Sequence, residues 1–544
     1  MQAMSELPPD LHRLLHEHGV DATRPHRVLA ALSDGRWWTP RALVRSTAVA
    51  HRTVYAVLTA LGTELKRDGE RVGLTDPGPY TAFARPEPAD PVGHLLDAHP
   101  GVLAELERLV AEAPRPRVDL DHVAATPMTA LRRALFLDTR FALAGRRLLC
   151  VGDHDLTSLA ATLVNAETEA VVVDIDERML DYIDTAARRL GLPVRCHFAD
   201  LRLGLPPSVR GGADLAFTDP PYTPDGVALF TARAVEGLAA PTAGRVLLAY
   251  GASETTPGLT AKAQARLSRL NLVSEAVWPD FNRYLGAEAI GAASDLYVLR
   301  PTARTPDGGR AAQEAARIYS RGANAKEAAA AAAETDALHR VVARAGADTV
   351  VADPAHGAGP DEGIRRIGLA SLLGAPVPDH GRGCTAVDLT GGWSALLGRV
   401  LLASAAAETH VLVGTTAPEV RDEAGQNALR GLLGPDIGVR FLRGVPDDRH
   451  AVVVARRDPL GADAAPEARL LRYCHDRAHG ALAAVLREGL VRTAADLGRP
   501  INKKRARTAV AAALPGLAGY TLLDLPARRV AEFTAAAAEL AAGL

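Results

Sequence analysis

GADLAFTDPPYT, residues 212–223, is the stretch on which the fold turns. An apolar run of strand length ends abruptly in Asp219-Pro220-Pro221-Tyr222. Two consecutive prolines hold an extended backbone and offer no N–H, so strand pairing has to stop there. A rigid turn of this kind can point the Asp219 carboxylate and neighbouring carbonyls at an incoming amino group while Tyr222 packs over it. A purely structural proline turn is the competing reading.

Outward from this turn the pattern repeats. RRLLCVGDHDLTSLAATLV (146–164) is a buried-type strand closed by a Gly-Asp turn that opens a helix. EAVVVDIDERMLDYI (169–183) is a second strand with two aspartates at its end, and VRCHFADLR (194–202) a third ending in Asp200. GADLAFTDPPYT is the fourth and GRVLLAYGAS (244–253) the fifth. Strands alternating with helices predict an α/β fold with a parallel, doubly wound, Rossmann-like sheet, and such sheets bind ligands beyond their strand carboxyl ends. The polar clusters all fall at that edge.

The geometry assigns roles. Gly152 permits a tight turn beside a donor, and the helix N-terminus after it favours negative groups. An acid about 20 residues further on can bond ribose hydroxyls; Asp176 fits, with Asp174 as the alternative. Asp200 is the candidate for an adenine amino group. Helix capping or a solvated turn is the competing reading for each aspartate. An amine nucleophile must arrive uncharged, and a carboxylate can place it and take its proton during attack on a sulfonium centre. The core therefore reads as a transferase using an S-adenosylmethionine-type donor and an amine acceptor.

The remaining chain sets the domain plan. With 544 residues, several cores are expected. Residues 1–85 show the outline of a winged helix-turn-helix: RPHRVLAALSDG (24–35), TPRALVRSTA (39–48) with Thr39 as N-cap and Pro40 behind it, HRTVYAVLTALGT (51–63), then a hairpin turning at Asp68-Gly69. Ten Lys and Arg against seven Asp and Glu over 11–80 is a weak basic excess. Arg45, His51, Arg52 and Tyr55 are the residues that would touch DNA, but winged helices also serve as dimerisation or lid modules. A Pro-rich link and helix fill 86–120, the core occupies 121–302, an alanine-rich linker helix 303–344, an α/β segment 345–460, and a helical segment with INKKRAR 461–544. No fixed-period repeat is apparent.

Net charge is −2, which argues against a surface devoted to nucleic acid. Cys150, Cys196, Cys384 and Cys474 are scattered and form no metal or disulfide framework, so buried reduced thiols and no metal are expected. No signal peptide or membrane-length apolar run appears, and a cytoplasmic protein is expected.

Four passages and a fifth behind them are similar to one family. DHVAATPMTALRRALFL (121–137), VGDHDLTS (151–158), VVVDIDERMLDYI (171–183) and TDPPYT (218–223), with WPDFNRYLGAEA (278–289), resemble the N4-bis(aminopropyl)spermidine synthases, branched-chain polyamine synthases that use decarboxylated S-adenosylmethionine. The family also carries a winged helix-like domain ahead of its catalytic domain. The resemblance implies donor binding by Gly152, Asp153, Asp155, Asp176 and Asp200. It implies amine handling by Asp219 and Tyr222, with help from a first-turn carboxylate such as Asp155. Pro220, Pro221, Glu254 and Asn282 are further candidates for acceptor contact. The family turn usually reads Gly-Asp-Asp-Asp, whereas His154 stands in the middle here, so His154 must serve as a base or the acceptor must differ.

Three functions follow in order. The first is aminopropyl transfer from decarboxylated S-adenosylmethionine to a small polyamine-like acceptor. Acids at the first turn suit a donor that has lost its carboxylate. The second is S-adenosylmethionine-dependent amino-methyl or aminocarboxypropyl transfer, less suited to nucleic acid because no basic run flanks the DPPY turn. The third is a winged-helix regulator with a non-catalytic sensing domain. Neither a DPPY turn nor an acid-ended second strand recurs after residue 303, so a structural or acceptor-recognition role is expected there. The histidines of DPAHGAGPDEG (353–363) and YCHDRAHG (473–480) read as structural. A homodimer is compatible with the N-terminal domain.

Overall fold

The computed structural model describes residues 7–84, 90–252, 254, 256–306, 318, 331–352, 364–377, 383–461 and 463–544. Two compact units emerge: Met1–Val172, Thr185–Val194 and Ala213–Arg321 form the first, and Val173–Asp184, Arg195–Gly212 and Gly322–Leu544 the second. The stretch expected to be one catalytic domain, 121–302, is thus divided, and the residues at the ends of its second and third strands go with the C-terminal region.

The N-terminal helices are α1 (Pro9–His18), α2 (Thr23–Leu32), α3 (Pro40–Thr47) and α4 (His51–Ala60). Thr39 caps α3 by accepting from Ala42 N at 3.2 Å, with Pro40 at the first helical position. β1 (Leu65–Asp68) and β2 (Arg71–Leu74) pair antiparallel across Gly69, whose φ of 60° suits glycine. Trp38 bridges to Val72 beside them. Val54, Val57, Leu58 and Leu61, spaced for one helix face, close the core of this part with Leu29 and Leu43. The candidate DNA-contact residue Arg45 instead donates to the Leu285 carbonyl at 2.7 Å and pairs with Glu288 at 3.4 Å.

After α5 (Pro100–Glu112) and α6 (Pro127–Arg140), the central sheet is built from β3 (Arg147–Val151), α7 (Thr157–Val164), β4 (Glu169–Asp174), α8 (Glu177–Leu190), β5 (Val194–Phe198), β6 (Leu215–Thr218), α9 (Pro224–Gly237), β7 (Arg245–Tyr250), α10 (Pro257–Arg269), β8 (Leu272–Arg283) and β9 (Ala293–Pro301). Strand order is β5-β4-β3-β6-β7-β9-β8. β3, β6 and β7 run parallel. β9 runs antiparallel to both β7 and β8, two strands beyond the five that the sequence marks. Five strands were legible as apolar runs; β8, exposed at every other position along much of its length, was not.

The C-terminal region holds a second sheet: β10 (Thr349–Ala352), β11 (Arg365–Gly368), β12 (Cys384–Asp388), β13 (Glu408–Gly414), β14 (Gly438–Arg443) and β15 (His450–Arg456). Its order is β11-β10-β12-β13-β15-β14. β11, β10, β12 and β13 are parallel neighbours, while β15 is antiparallel to β13 and β14. This is the order of the central sheet without its edge strand β5, a repeat of topology.

The alanine-rich stretch expected to be a linker helix is corrected as well. Its described end, Ala331–Ala345, buries Ala337, Leu338, Val341 and Val342 against β10, β12, β13 and β15. Helices Pro466–His475, Leu482–Asp496, Lys503–Ala513 and Ala527–Ala542 follow as expected. DPAHGAGPDEG lies outside the described residues. His475 is buried against Asp436 at 2.9 Å and His479 meets the Leu372 carbonyl at 2.8 Å, both structural placements. None of the four cysteines is in a disulfide, but Cys384 is half-buried where full burial was expected. Among the described residues no helix is long and apolar enough to cross a membrane, and no His, Cys, Asp or Glu cluster suits a metal.

Candidate active site

The site grows from three elements of the first unit that end at one place: the β3–α7 turn, the β6–α9 turn and the β8–β9 pair. Gly152 has φ 70°, and a Cβ there would press on the Phe230 ring at 3.2 Å, so the turn requires glycine. Pro220 and Pro221 are buried and end β6, and Thr223 caps α9 through Gly226 N at 3.0 Å. The segment before α6 bridges to Tyr284 through Ala125, which brings α6 to the same place.

At the centre is a wholly buried arginine that sequence reasoning missed. Arg133 on α6 donates through Nη2 to Asp219 at 2.5 Å and through Nη1 to Asp155 at 2.9 Å. Its Nε reaches the Asn282 side-chain oxygen at 2.8 Å, and its guanidinium lies over the Phe217 ring. Buried charges need this kind of pairing. Asp219 also accepts from Tyr284 OH at 2.7 Å and Tyr222 OH at 3.1 Å. The two phenols meet at 2.7 Å, and Ser294 Oγ touches Tyr284 OH at 2.7 Å. Asp155 accepts from Ala125 N at 2.7 Å.

Burial pushes the Asp219 carboxyl up to about 7; Arg133 opposes this and the neighbouring Asp155 charge adds to it. Burial acts on Asp155 in the same sense, but the Arg133 charge and a hydrogen bond with Asp219 hold it below its usual range. The two carboxyls therefore titrate as a pair, with the proton on Asp219. Burial raises both phenols well above their ordinary value, so Tyr222 and Tyr284 stay protonated donors. A carboxyl poised near neutrality, ringed by donors and backed by a fixed cation, suits proton transfer from a bound nucleophile.

Residues 101–323 match the sequence profile of the branched-chain polyamine synthase A C-terminal domain. Over these residues the chain is similar to that family's C-terminal domain. It is 39% identical over 188 residues to an uncharacterised protein of Methanocaldococcus jannaschii, covering 34% of this chain and 46% of that one. It is 29% identical over 195 residues to the N(4)-bis(aminopropyl)spermidine synthase of Thermococcus kodakarensis, covering 36% and 53%. The chain thus spans about half the length of these curated relatives. Among solved structures, it is similar to the branched-chain polyamine synthase from Thermus thermophilus in complex with N4-aminopropylspermidine and 5′-methylthioadenosine, at 22% identity and a TM-score of 0.41, covering 55% of this chain and 94% of that one.

Within the matched region the expected residues separate into groups. Asp219, Tyr222 and Asp155 come together, and Asn282 lies buried behind the guanidinium. Asp153 caps α7, accepting from Thr157 N at 2.8 Å and Ser158 N at 3.1 Å. His154 stacks on His122, with ring centroids 4.5 Å apart. Glu254 is held by the N-terminal helices: Thr53 Oγ1 donates to it at 2.8 Å, and Arg24 stands 3.6 Å away.

The strand-end acids of the second unit share one motif. Asp174 accepts from Asp176 N at 2.8 Å. Asp176 is clasped by Arg178 (Nη2 at 2.6 Å), and Asp200 by Arg202 (Nη2 at 2.5 Å), each two residues on. Tyr284, Ser294 and Arg133 were not foreseen. Arg133 did leave a signal: helical spacing aligns it with buried Ala130 and Leu137.

Proposed function

We propose that this chain transfers an aminopropyl group from decarboxylated S-adenosylmethionine to an amine of a polyamine-type acceptor. The observation that carries the reading is Asp219: a part-buried carboxyl at the DPPY turn, raised to about 7 and held by Tyr222, Tyr284 and Arg133. The family match over 101–323 and the name N(4)-bis(aminopropyl)spermidine synthase borne by relatives favour aminopropyl over methyl transfer.

In this reading the uncharged amine rests against ionised Asp219. Its lone pair attacks the propyl carbon next to the sulfonium, the C–S bond breaks with its electrons going to sulfur, and methylthioadenosine leaves. The new ammonium gives its proton to Asp219, while Tyr222 and Tyr284 keep the carboxylate fixed. Asp155, anchored by Ala125 N and Arg133, adds negative charge that favours the developing ammonium. Gly152, at the β3–α7 turn of the same unit, is the donor-side candidate beside this centre. His154, stacked on His122, flanks the turn and is not needed as the base.

The test is calorimetric binding of S-adenosylmethionine, its decarboxylated form and methylthioadenosine, followed by amine turnover with the bound donor. Preference for the decarboxylated donor, with aminopropylated product, is expected. Preference for the carboxylated donor moves the reading to methyl or aminocarboxypropyl transfer, and binding of none removes it.

A further inference from the structure

The two acids expected to hold the donor's nucleoside are clasped alike but not equally firmly. Arg178, which clasps Asp176, is 48% exposed along its side chain, so ribose hydroxyls can displace it. Arg202, which clasps Asp200, is only 2% exposed. Its backbone N and Nε donate to one carboxylate oxygen at 3.0 and 2.9 Å, and its Nη2 to the other. Those bonds occupy most of what a carboxylate can accept. Asp200 is therefore set in place by its own arginine.

What sets the arginine is the C-terminal region. The Arg202 guanidinium stacks 3.7 Å over the Trp393 ring and donates to the Gly392 carbonyl at 2.9 Å. Both partners belong to the loop after β12, within the same compact unit. Neighbouring points are fastened in the same way. Phe198 N at the end of β5 donates to the Asp524 carbonyl at 2.8 Å, and the His197 ring stacks on Tyr520 at 4.3 Å. Glu177, next to Asp176, accepts from Arg399 and from Ala527 N.

We propose that the C-terminal region is a positioning module for the nucleoside half of the donor site, acting through Trp393 and Gly392 on Arg202 and so on Asp200. Trp393 and Arg202 are positioning residues: the first fixes the second, and the second fixes the carboxylate and the β5 exit loop. This rests on the donor reading above and gives residues after 345 a task in that reaction. It also changes the expected role of Asp200, which anchors the loop through Arg202 and leaves recognition of the adenine edge to groups the loop presents.

The experiment titrates full-length wild type, W393F, W393L, R202K and R477A with 5′-methylthioadenosine, and follows hydrogen exchange over residues 195–206. A desolvated cation–π pair is worth about tenfold in affinity. W393L and R202K are expected to weaken methylthioadenosine binding about tenfold and to speed exchange over 195–206. W393F should stay within about threefold, because its ring keeps the stack. The acceptor KM should not move. R477A breaks a comparable stack on Tyr473 at 3.9 Å elsewhere in the region and should change neither readout. Equal affinity and exchange in W393L and wild type overturn the inference, as does an equal loss in R477A. If W393L does not fold, R202K decides alone. Wild type that binds no nucleoside defeats the donor reading itself, a result distinct from wild type that binds and a W393L that binds equally.

Discussion

The ends of β6 and β12 occupy the same place in two sheets of the same strand order, and they hold their aspartates to different ends. At β6, Asp219 sits under Tyr222 and Tyr284 against a buried guanidinium, with its carboxyl raised to about 7. At β12, Asp388 is also buried, but it accepts from Thr390 N at 2.8 Å and Thr390 Oγ1 at 2.6 Å. That turn shapes its own loop, Leu389 to Trp393, which reaches Arg202. Two prolines follow the first aspartate, and Thr390-Gly391-Gly392 lies beyond the second. Gly391 and Gly392 both have positive φ, so this loop curls where the DPPY turn is straight. Shared topology supplies the place at the strand end, and the residues after it decide whether that place handles a reacting amine or grips a neighbouring loop.

The sharpest way to break the comparison is to remove one charge at a time. D219N should lower kcat by about 10²- to 10⁴-fold, the usual worth of a positioned acid–base group, with donor affinity nearly unchanged. D388N should leave kcat within about threefold of wild type, since Asn can still accept from Thr390 N. Steady-state turnover of both variants with the decarboxylated donor reads this directly. Comparable losses in kcat would mean that the second strand end also serves the chemistry.

A smaller effect lies in the pH dependence. Asp219 must be ionised to take a proton, and its pKa in the folded protein is raised to about 7. Activity should therefore fall about tenfold per unit as pH drops below 7 and level off above it, a limb that D388N keeps. Arg133 lowers the Asp219 value. R133Q should accordingly push the limb to higher pH, because the carboxylate loses its cation. An unmoved limb in R133Q would show that another group is titrating.

How much of this was legible depends on distance along the chain. The carboxyl-end acids of β3, β4, β5 and β6 were readable because each is local: an apolar run, then Asp and a turn. Asp219 and Tyr222, three residues apart, were readable for the same reason. Arg133 on α6 and Tyr284 just beyond β8 reach Asp219 from about 65 to 90 residues away along the chain, and Ser294 on β9 reaches it only through Tyr284. No spacing rule links them. Arg133 follows Arg132 and so resembles a charged helix surface, although only Arg132 is partly exposed. The second sheet was legible only in part. Its β11, RRIG, is only four residues long and partly exposed, and its acid-ended β12 has no proline turn behind Asp388. The clasping of Asp176 and Asp200 by arginines two residues on was present in the sequence as Asp-x-Arg twice, at DER and DLR.

The smallest expected effect tests Asp153, which the family resemblance places on the donor and the structure places on α7. Its carboxylate caps that helix through Thr157 N and Ser158 N, and burial raises it to about 7. An unfolded chain ionises this group near 3.9. Between those values the folded form holds a proton that the unfolded form has lost. The stability linked to that proton is full below about 4 and is lost as pH rises through about 7. D153N keeps a good capping side chain and removes the titration. Relative to wild type, it should therefore gain about 2–4 °C in melting temperature at pH 8 and clearly less at pH 5. Donor affinity should stay within about threefold, the mark of a cap. A tenfold weaker donor, with no gain in melting temperature, would return Asp153 to the donor and make the first turn as much a part of the chemistry as the fourth strand's end.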